Sequence, residues 1–137
     1  MIRILSIGLM TLGALAFAKI AKAQIADLKD REPLGTLEGS EWGPENGMGQ
    51  FVQFLSGGDL AGYAGCNSFF GTYEQNGNKL KIGSMVTTKK ACENLGMEQA
   101  FLAALTSARG FEASFKEMNI LDENNEVALS MRRRDWD

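Results

Sequence analysis

The chain has no histidine. That absence removes the commonest general base near neutral pH, and with it Ser–His and Cys–His nucleophile pairs and imidazole metal sites. Cysteine is almost as scarce, with only Cys66 and Cys92. Their spacing is not the Cys-x-x-Cys of a redox-active pair. Long hydrophobic runs are missing too. The uncharged stretch from Ile4 to Ala18 falls short of the roughly 20 residues that span a bilayer. Positive charge is in deficit, with 14 Lys and Arg against 17 Asp and Glu, which argues against nucleic acid or an anionic membrane surface as partner.

What is present at the N-terminus reads as an export signal. Arg3 precedes the uncharged run, and two small-x-small sites follow it, Ala16-Phe17-Ala18 and Ala21-Lys22-Ala23. Residues 1–23 are expected to be a cleaved signal peptide, with the cut after Ala23 favoured. No cysteine stands near either site, so no lipid attachment and no stable membrane anchor is expected after cleavage. The product is expected in the periplasm or outside the cell. The leader carries Arg3, Lys19 and Lys22 and no acidic residue, so the remainder is more acidic than the net −3 of the whole chain. Its length suits one domain with one modest core.

Residues 24–36 are polar, contain Pro33 and Gly35, and are expected to be a flexible lead-in. The domain is expected over 37–134. From Glu41 to Gly49 the composition favours turns, with Trp42 as a core plug rather than a platform for a stacked ligand. Phe51–Leu55 and Leu60–Ala64 read as a hairpin around Gly57-Gly58-Asp59, its second arm curved by small residues. Thr72–Gln75 and Asn78–Ile82 form a second hairpin around Asn76-Gly77, where a type I′ turn is expected. Leu80 and Ile82 alternate with Lys79 and Lys81, giving one buried face.

A helix is predicted from about Leu95 to Arg109, with Asn94 as N-cap, Gly110 as the stop and Met97, Phe101, Leu102, Leu105 and Ala108 as its apolar stripe. Strands follow at Phe111–Phe115, Met118–Leu121 and Val127–Met131, the last two joined by the turn Asp122–Asn125. The fold expected is mainly β (α+β), a curled antiparallel sheet or β-barrel-like arrangement of 6–8 strands with one packed helix.

Candidate chemistry is sparse. Glu112, Glu117, Asp122, Glu123 and Glu126 fall at outward or turn positions and read as solvated charge. The acidic run from Asp122 lacks the ligand spacing, glycine and distal glutamate of a calcium loop. Arg132-Arg133-Arg134 reads as a solvated tail. No cofactor and no metal is expected.

In an exported chain, Cys66 and Cys92 most simply form a structural disulfide; free buried thiols and a redox pair are the alternatives. Asn67 is expected to tie down backbone in a tight turn, Phe69 and Tyr73 to fill the core, and Phe70 to be the exposed aromatic and a candidate partner-binding knob.

Several of these elements recur together. They are an early Trp42, the Gly-x-x-Gly-Cys-Asn-x-Phe-x-Gly-x-Tyr stretch from Gly62 to Tyr73, the Asn-Gly hairpin and the Thr-x-x-Ala-Cys element from Thr88 to Cys92. A helix with Glu98, Phe101 and Leu105 and a closing Leu-x-Asp hairpin at Leu121 complete the set. In these the chain resembles the META-domain, or HslJ-like heat-shock, family from Trp42 to Arg132. The resemblance implies a small envelope domain associated with heat shock and antibiotic tolerance, without an established enzymatic activity. Gly65, Asn67, Phe69, Gly71 and Tyr73 are then structural motif residues. The expected role is a non-enzymatic domain that binds an envelope protein or a small apolar ligand. The alternative is an inhibitor of a hydrolase such as a lysozyme or a protease.

Overall fold

The computed structural model describes residues 32–93 and 95–135 of the chain. The expected signal peptide, most of the lead-in and the Asn94 cap lie outside the described residues. Among these residues, nine strands and one helix of four residues or more follow each other as β1 (Ser40–Gly43), β2 (Phe51–Phe54), β3 (Asp59–Tyr63), β4 (Ser68–Asn76), β5 (Lys79–Ile82), β6 (Val86–Thr87), α1 (Leu95–Thr106), β7 (Gly110–Ala113), β8 (Glu117–Leu121) and β9 (Val127–Arg133). Every pairing is antiparallel. Because β3 pairs β4 and β1 pairs β9, eight strands close into a ring in the order β1-β2-β3-β4-β5-β7-β8-β9, and β6 lies outside it on β4. The fold is therefore the mainly β, curled antiparallel arrangement with one helix that the sequence predicts.

Alternation within the strands decides what fills the ring. Leu80 and Ile82 are buried while Lys79 and Lys81 are exposed, and β4 buries Phe69 and Tyr73 while exposing Phe70. Trp42, Val52, Phe54, Leu60, Phe69, Leu80, Met118 and Ile120 meet in one core. Trp42 is fully buried, and its indole N–H donates to Ser40 Oγ at 2.6 Å, so the plug carries a satisfied polar atom. The helix packs on β5 and β9, and Phe101 meets Phe69 with ring centroids 6.1 Å apart.

Local readings needed correction at several points. The turn composition from Glu41 to Gly49 hides a strand at its start, since Ser40–Gly43 pairs with both β2 and β9. The second hairpin turns one residue later than expected. Asn76 pairs with Lys79, which leaves Gly77-Asn78 as the two-residue loop. Gly77 has φ 60° whereas Asn78 is not among the positive-φ residues, the pattern of a type II′ rather than a type I′ turn.

The helix ends at Thr106, not Arg109. The Thr106 and Ser107 hydroxyls donate to the Leu102 and Ala104 carbonyls, and the Arg109 N–H has already turned to Leu121 O at 2.9 Å. Gly110 consequently opens β7 instead of stopping the helix. Met97 is exposed, and the buried helical face is Glu98, Phe101 and Leu105.

β7 stops at Ala113 because Ser114 N–H pairs with Glu117 O across a turn, which leaves Phe115 exposed. Arg132 and Arg133 belong to β9 rather than to a solvated tail. The Arg133 guanidinium lies 5.7 Å from the Trp42 ring and 4.9 Å from that of Phe115 and pairs with Asp135 at 2.8 Å. The end of the expected lead-in is tied down as well, with Leu34 N–H on Ala113 O at 2.7 Å.

Trp42 contributes the largest fully buried side chain of the ring. Trp42→Ala is expected to cost about 3–5 kcal/mol, read as a shift of the denaturant midpoint. A cost below ~1 kcal/mol would show that the ring does not pack around it.

Candidate functional site

The β3–β4 connection is built around a side-chain cage. Ala64 and Asn67 flank Gly65-Cys66, and Ala64 N–H reaches Asn67 O at 2.8 Å. An ordinary two-residue hairpin would return the Asn67 N–H to Ala64 O. Here the Asn67 N–H goes to Glu98 Oε1 at 2.6 Å, and Ala64 O is taken by Gln50 Nε2 at 2.8 Å. Gly65 holds φ 115°, a conformation side chains rarely adopt, and its carbonyl accepts the Tyr63 hydroxyl at 2.9 Å.

Asn67 is the hub. It is buried and uses both ends of its amide. Nδ2 donates to Glu98 Oε2 at 2.8 Å and to Lys90 O at 3.4 Å. Oδ1 accepts Lys90 N–H at 2.7 Å and the Thr88 hydroxyl at 2.9 Å. One amide thus joins the tight turn, the first turn of the helix and the segment before Cys92.

Glu98 is a buried carboxylate, and among the described residues no cation contributes to its surroundings. Burial pushes its carboxyl up. Hydrogen bonds from the Asn67 side chain, the Asn67 backbone and the Cys66 backbone outweigh burial and hold it below the ordinary glutamate value. Its place in the first helical turn adds favourable alignment with the helix dipole. The sequence reading assigned Glu98 no role beyond the family pattern. The signal was present, since Glu98, Phe101 and Leu105 share one helical face at i, i+3 and i+7, and a carboxylate on an apolar face needs donors. Gln50, buried and bonded to Ala64 O and Met97 O, stands outside any strand or helix and carries no such periodic signal.

Cys66 and Cys92 are joined by a disulfide, with Cα atoms 6.3 Å apart and a sequence separation of 26. The other motif residues sit along β4. Phe69 is fully buried. A Cβ at Gly71 would lie 2.9 Å from Met85 Cγ and 3.0 Å from Ser84 O. Tyr73 donates its hydroxyl to Leu55 O at 2.9 Å and meets Phe54 edge-on at 5.0 Å.

Outward of the cage, residues 88–91 are all exposed. Beside them Phe70 and Val86 are paired across β4 and β6 and are 58% and 72% exposed. A surface cleft of about 250 Å³ lies elsewhere, between Glu45, Glu117, Asn119, Ser130 and Arg132. Among the described residues no cluster of acidic or thiol groups suits a metal ion.

Glu98→Gln keeps the shape and loses the charge that its three donors address, which is expected to cost about 1–3 kcal/mol at pH 7. The native carboxyl is held below its unfolded value of about 4.3, so its contribution is fully present above that pH and fades as pH falls through the folded value. The gap between wild type and E98Q in denaturant midpoint is therefore expected at pH 7 and should shrink towards pH 3. An equal gap at both would refute the charged cage. Reducing the disulfide is expected to lower stability by about 3–4 kcal/mol, measured as the loss in melting temperature with and without a thiol reagent.

The META-domain family model matches residues 35–135. A solution structure of a protein from Burkholderia xenovorans is similar at 21% identity and TM-score 0.60, covering 72% of this chain and 84% of that one. A crystal structure of a DUF4847-family protein from Bacteroides vulgatus is similar at 17% identity and TM-score 0.51, covering 63% of this chain and 58% of that one. At these identities the two structures speak for the fold alone. No match stands out among curated proteins. With its matched span running from before β1 to beyond β9, the chain belongs to the META-domain family.

Proposed function

We propose that this protein is an exported, non-enzymatic recognition domain that works in the periplasm or outside the cell and supports tolerance of heat or antibiotic stress. It binds a protein partner through the segment 86–91, exposed except at half-buried Thr87, and the neighbouring Phe70. The carrying observation is an apolar pair, Phe70 and Val86, displayed on a platform held by the Asn67–Glu98 cage and the disulfide. Exposed aromatic side chains are favoured anchors in interfaces, and a surface already rigid loses little entropy on association. A ring filled by Trp42, Phe54 and Phe69 favours a protein partner over a small apolar ligand taken into the interior. The missing histidine and the full use of Glu98 as a hydrogen-bond acceptor support the non-enzymatic reading. The braced, exposed segment before Cys92 favours a second reading, inhibition of a hydrolase by an inserted loop.

The double variant Phe70→Ser, Val86→Ser tests the first reading without touching the core. It is expected to melt within a few degrees of wild type and to lose, by about tenfold or more, the partner that the wild type retains from envelope extract. A host strain lacking the protein should lose survival under heat or antibiotic and regain it with the wild type only. Equal retention and equal rescue by the double variant would sink the reading.

A further inference from the structure

We propose that Thr87–Ala91 is a reactive-site segment for trypsin-like serine peptidases, with Lys89 entering the specificity pocket and Lys89–Lys90 as the bond attacked. This rests on the recognition reading above and names the partner class.

The backbone is prepared for a peptidase cleft. Among the described residues β6 pairs only with β4, at one end of the sheet order. Just past it, Thr88 N–H bonds to Ser68 O at 3.0 Å. In an antiparallel ladder alternate residues turn their amide groups to opposite sides, so the Thr87 groups face away from β4, while the Lys90 N–H and C=O turn back to the Asn67 side chain. Serine peptidases bind an extended segment by adding it as a strand, which uses a free edge of this kind. Lys89 is exposed, and its ammonium matches the carboxylate at the base of a trypsin-like specificity pocket.

The braces stand on both sides of the bond. Asn67 Oδ1 accepts the Thr88 hydroxyl on one side and the Lys90 N–H on the other. Glu98 holds the Asn67 amide in that orientation, and Cys92, two residues beyond Lys90, is bonded to Cys66. When the peptidase serine oxygen adds to the Lys89 carbonyl, the Lys89–Lys90 C–N bond breaks. An ester forms, and the Lys90 amine takes the proton released from the serine through the peptidase histidine. In an ordinary substrate that amine diffuses away and water hydrolyses the ester. Here Asn67 and the disulfide keep the amine at the ester, so it adds back, restores the amide and returns the proton to the serine. Tethering favours this intramolecular return over hydrolysis, and the segment inhibits rather than feeds the enzyme.

The test uses the purified protein, trypsin and a small arginyl amide substrate. Stoichiometric loss of trypsin activity at micromolar protein is expected, with a single slow nick at Lys89–Lys90 found by mass spectrometry. Lys89→Ala should weaken inhibition by about 100-fold, as for an anchor residue at an interface centre. Lys89→Phe should move inhibition from trypsin to chymotrypsin. Neither substitution touches the core, so both variants should melt like the wild type. Uninhibited trypsin, equal inhibition by Lys89→Ala, or rapid digestion at many sites would each overturn the assignment. A partner retained through Phe70 and Val86 alongside uninhibited trypsin overturns it while leaving the recognition reading in place.

Discussion

The structure depends on one buried carboxylate and the donors arranged around it. Glu98 takes the Asn67 N–H and amide, and everything near the disulfide takes its geometry from that choice. A carboxylate buried without partners is among the costliest groups a small protein can carry. The chain answers with three donors rather than a counter-ion, so the charge is stabilised by oriented dipoles. Because those donors come from the β3–β4 turn, the helix is fastened to the sheet by directional bonds as well as by Phe101 and Leu105. Apolar contacts alone tolerate sliding; a two-point contact to the backbone and side chain of one residue does not.

The same logic explains how much was legible beforehand. Alternation in Lys79–Ile82, the Asn-Gly signal and the aromatic run at Phe51 identify strands because each reports a local preference on one or two elements. The burial of Trp42 and the exposure of Phe70 follow from the same period. What escaped was set by partners distant in sequence. Glu98 and Asn67 lie 31 positions apart, and a glutamate in a first helical turn looks like an ordinary dipole-friendly residue until its face is considered. The helix ends earlier than its pattern suggests because the Arg109 N–H is taken by Leu121 O, a partner that no helical pattern contains. Ring closure through β1–β9 joins the two ends of the domain and has no local signature at all.

Arg132-Arg133-Arg134 illustrates the limit of reading charge as solvation. Arg133 is the register partner of Trp42, and its guanidinium covers the indole while Asp135 neutralises it. A cation over an aromatic face shields the plug from water, so a basic residue finishes the core. Asp135 reflects the arrangement. Burial pushes its carboxyl up, but hydrogen bonds, first among them that from Arg133, and the nearby charge bring it below the ordinary aspartate value.

The ring meets at a narrow seam. β5 and β7 share a single register pair, Lys79 with Gly110, supported by Phe111 N–H on Asn78 O and Leu80 N–H on Arg109 O. All the chain between these strands, including β6, the disulfide's second cysteine and the helix, is one long excursion that leaves the ring and rejoins it there. Lengthening such an excursion costs only about 0.6 kcal/mol for each doubling. The architecture therefore separates the frame from what it displays: lengthening the chain between Gly83 and Val86 would leave both the eight-strand ring and the Thr88 and Lys90 contacts to Asn67 in place.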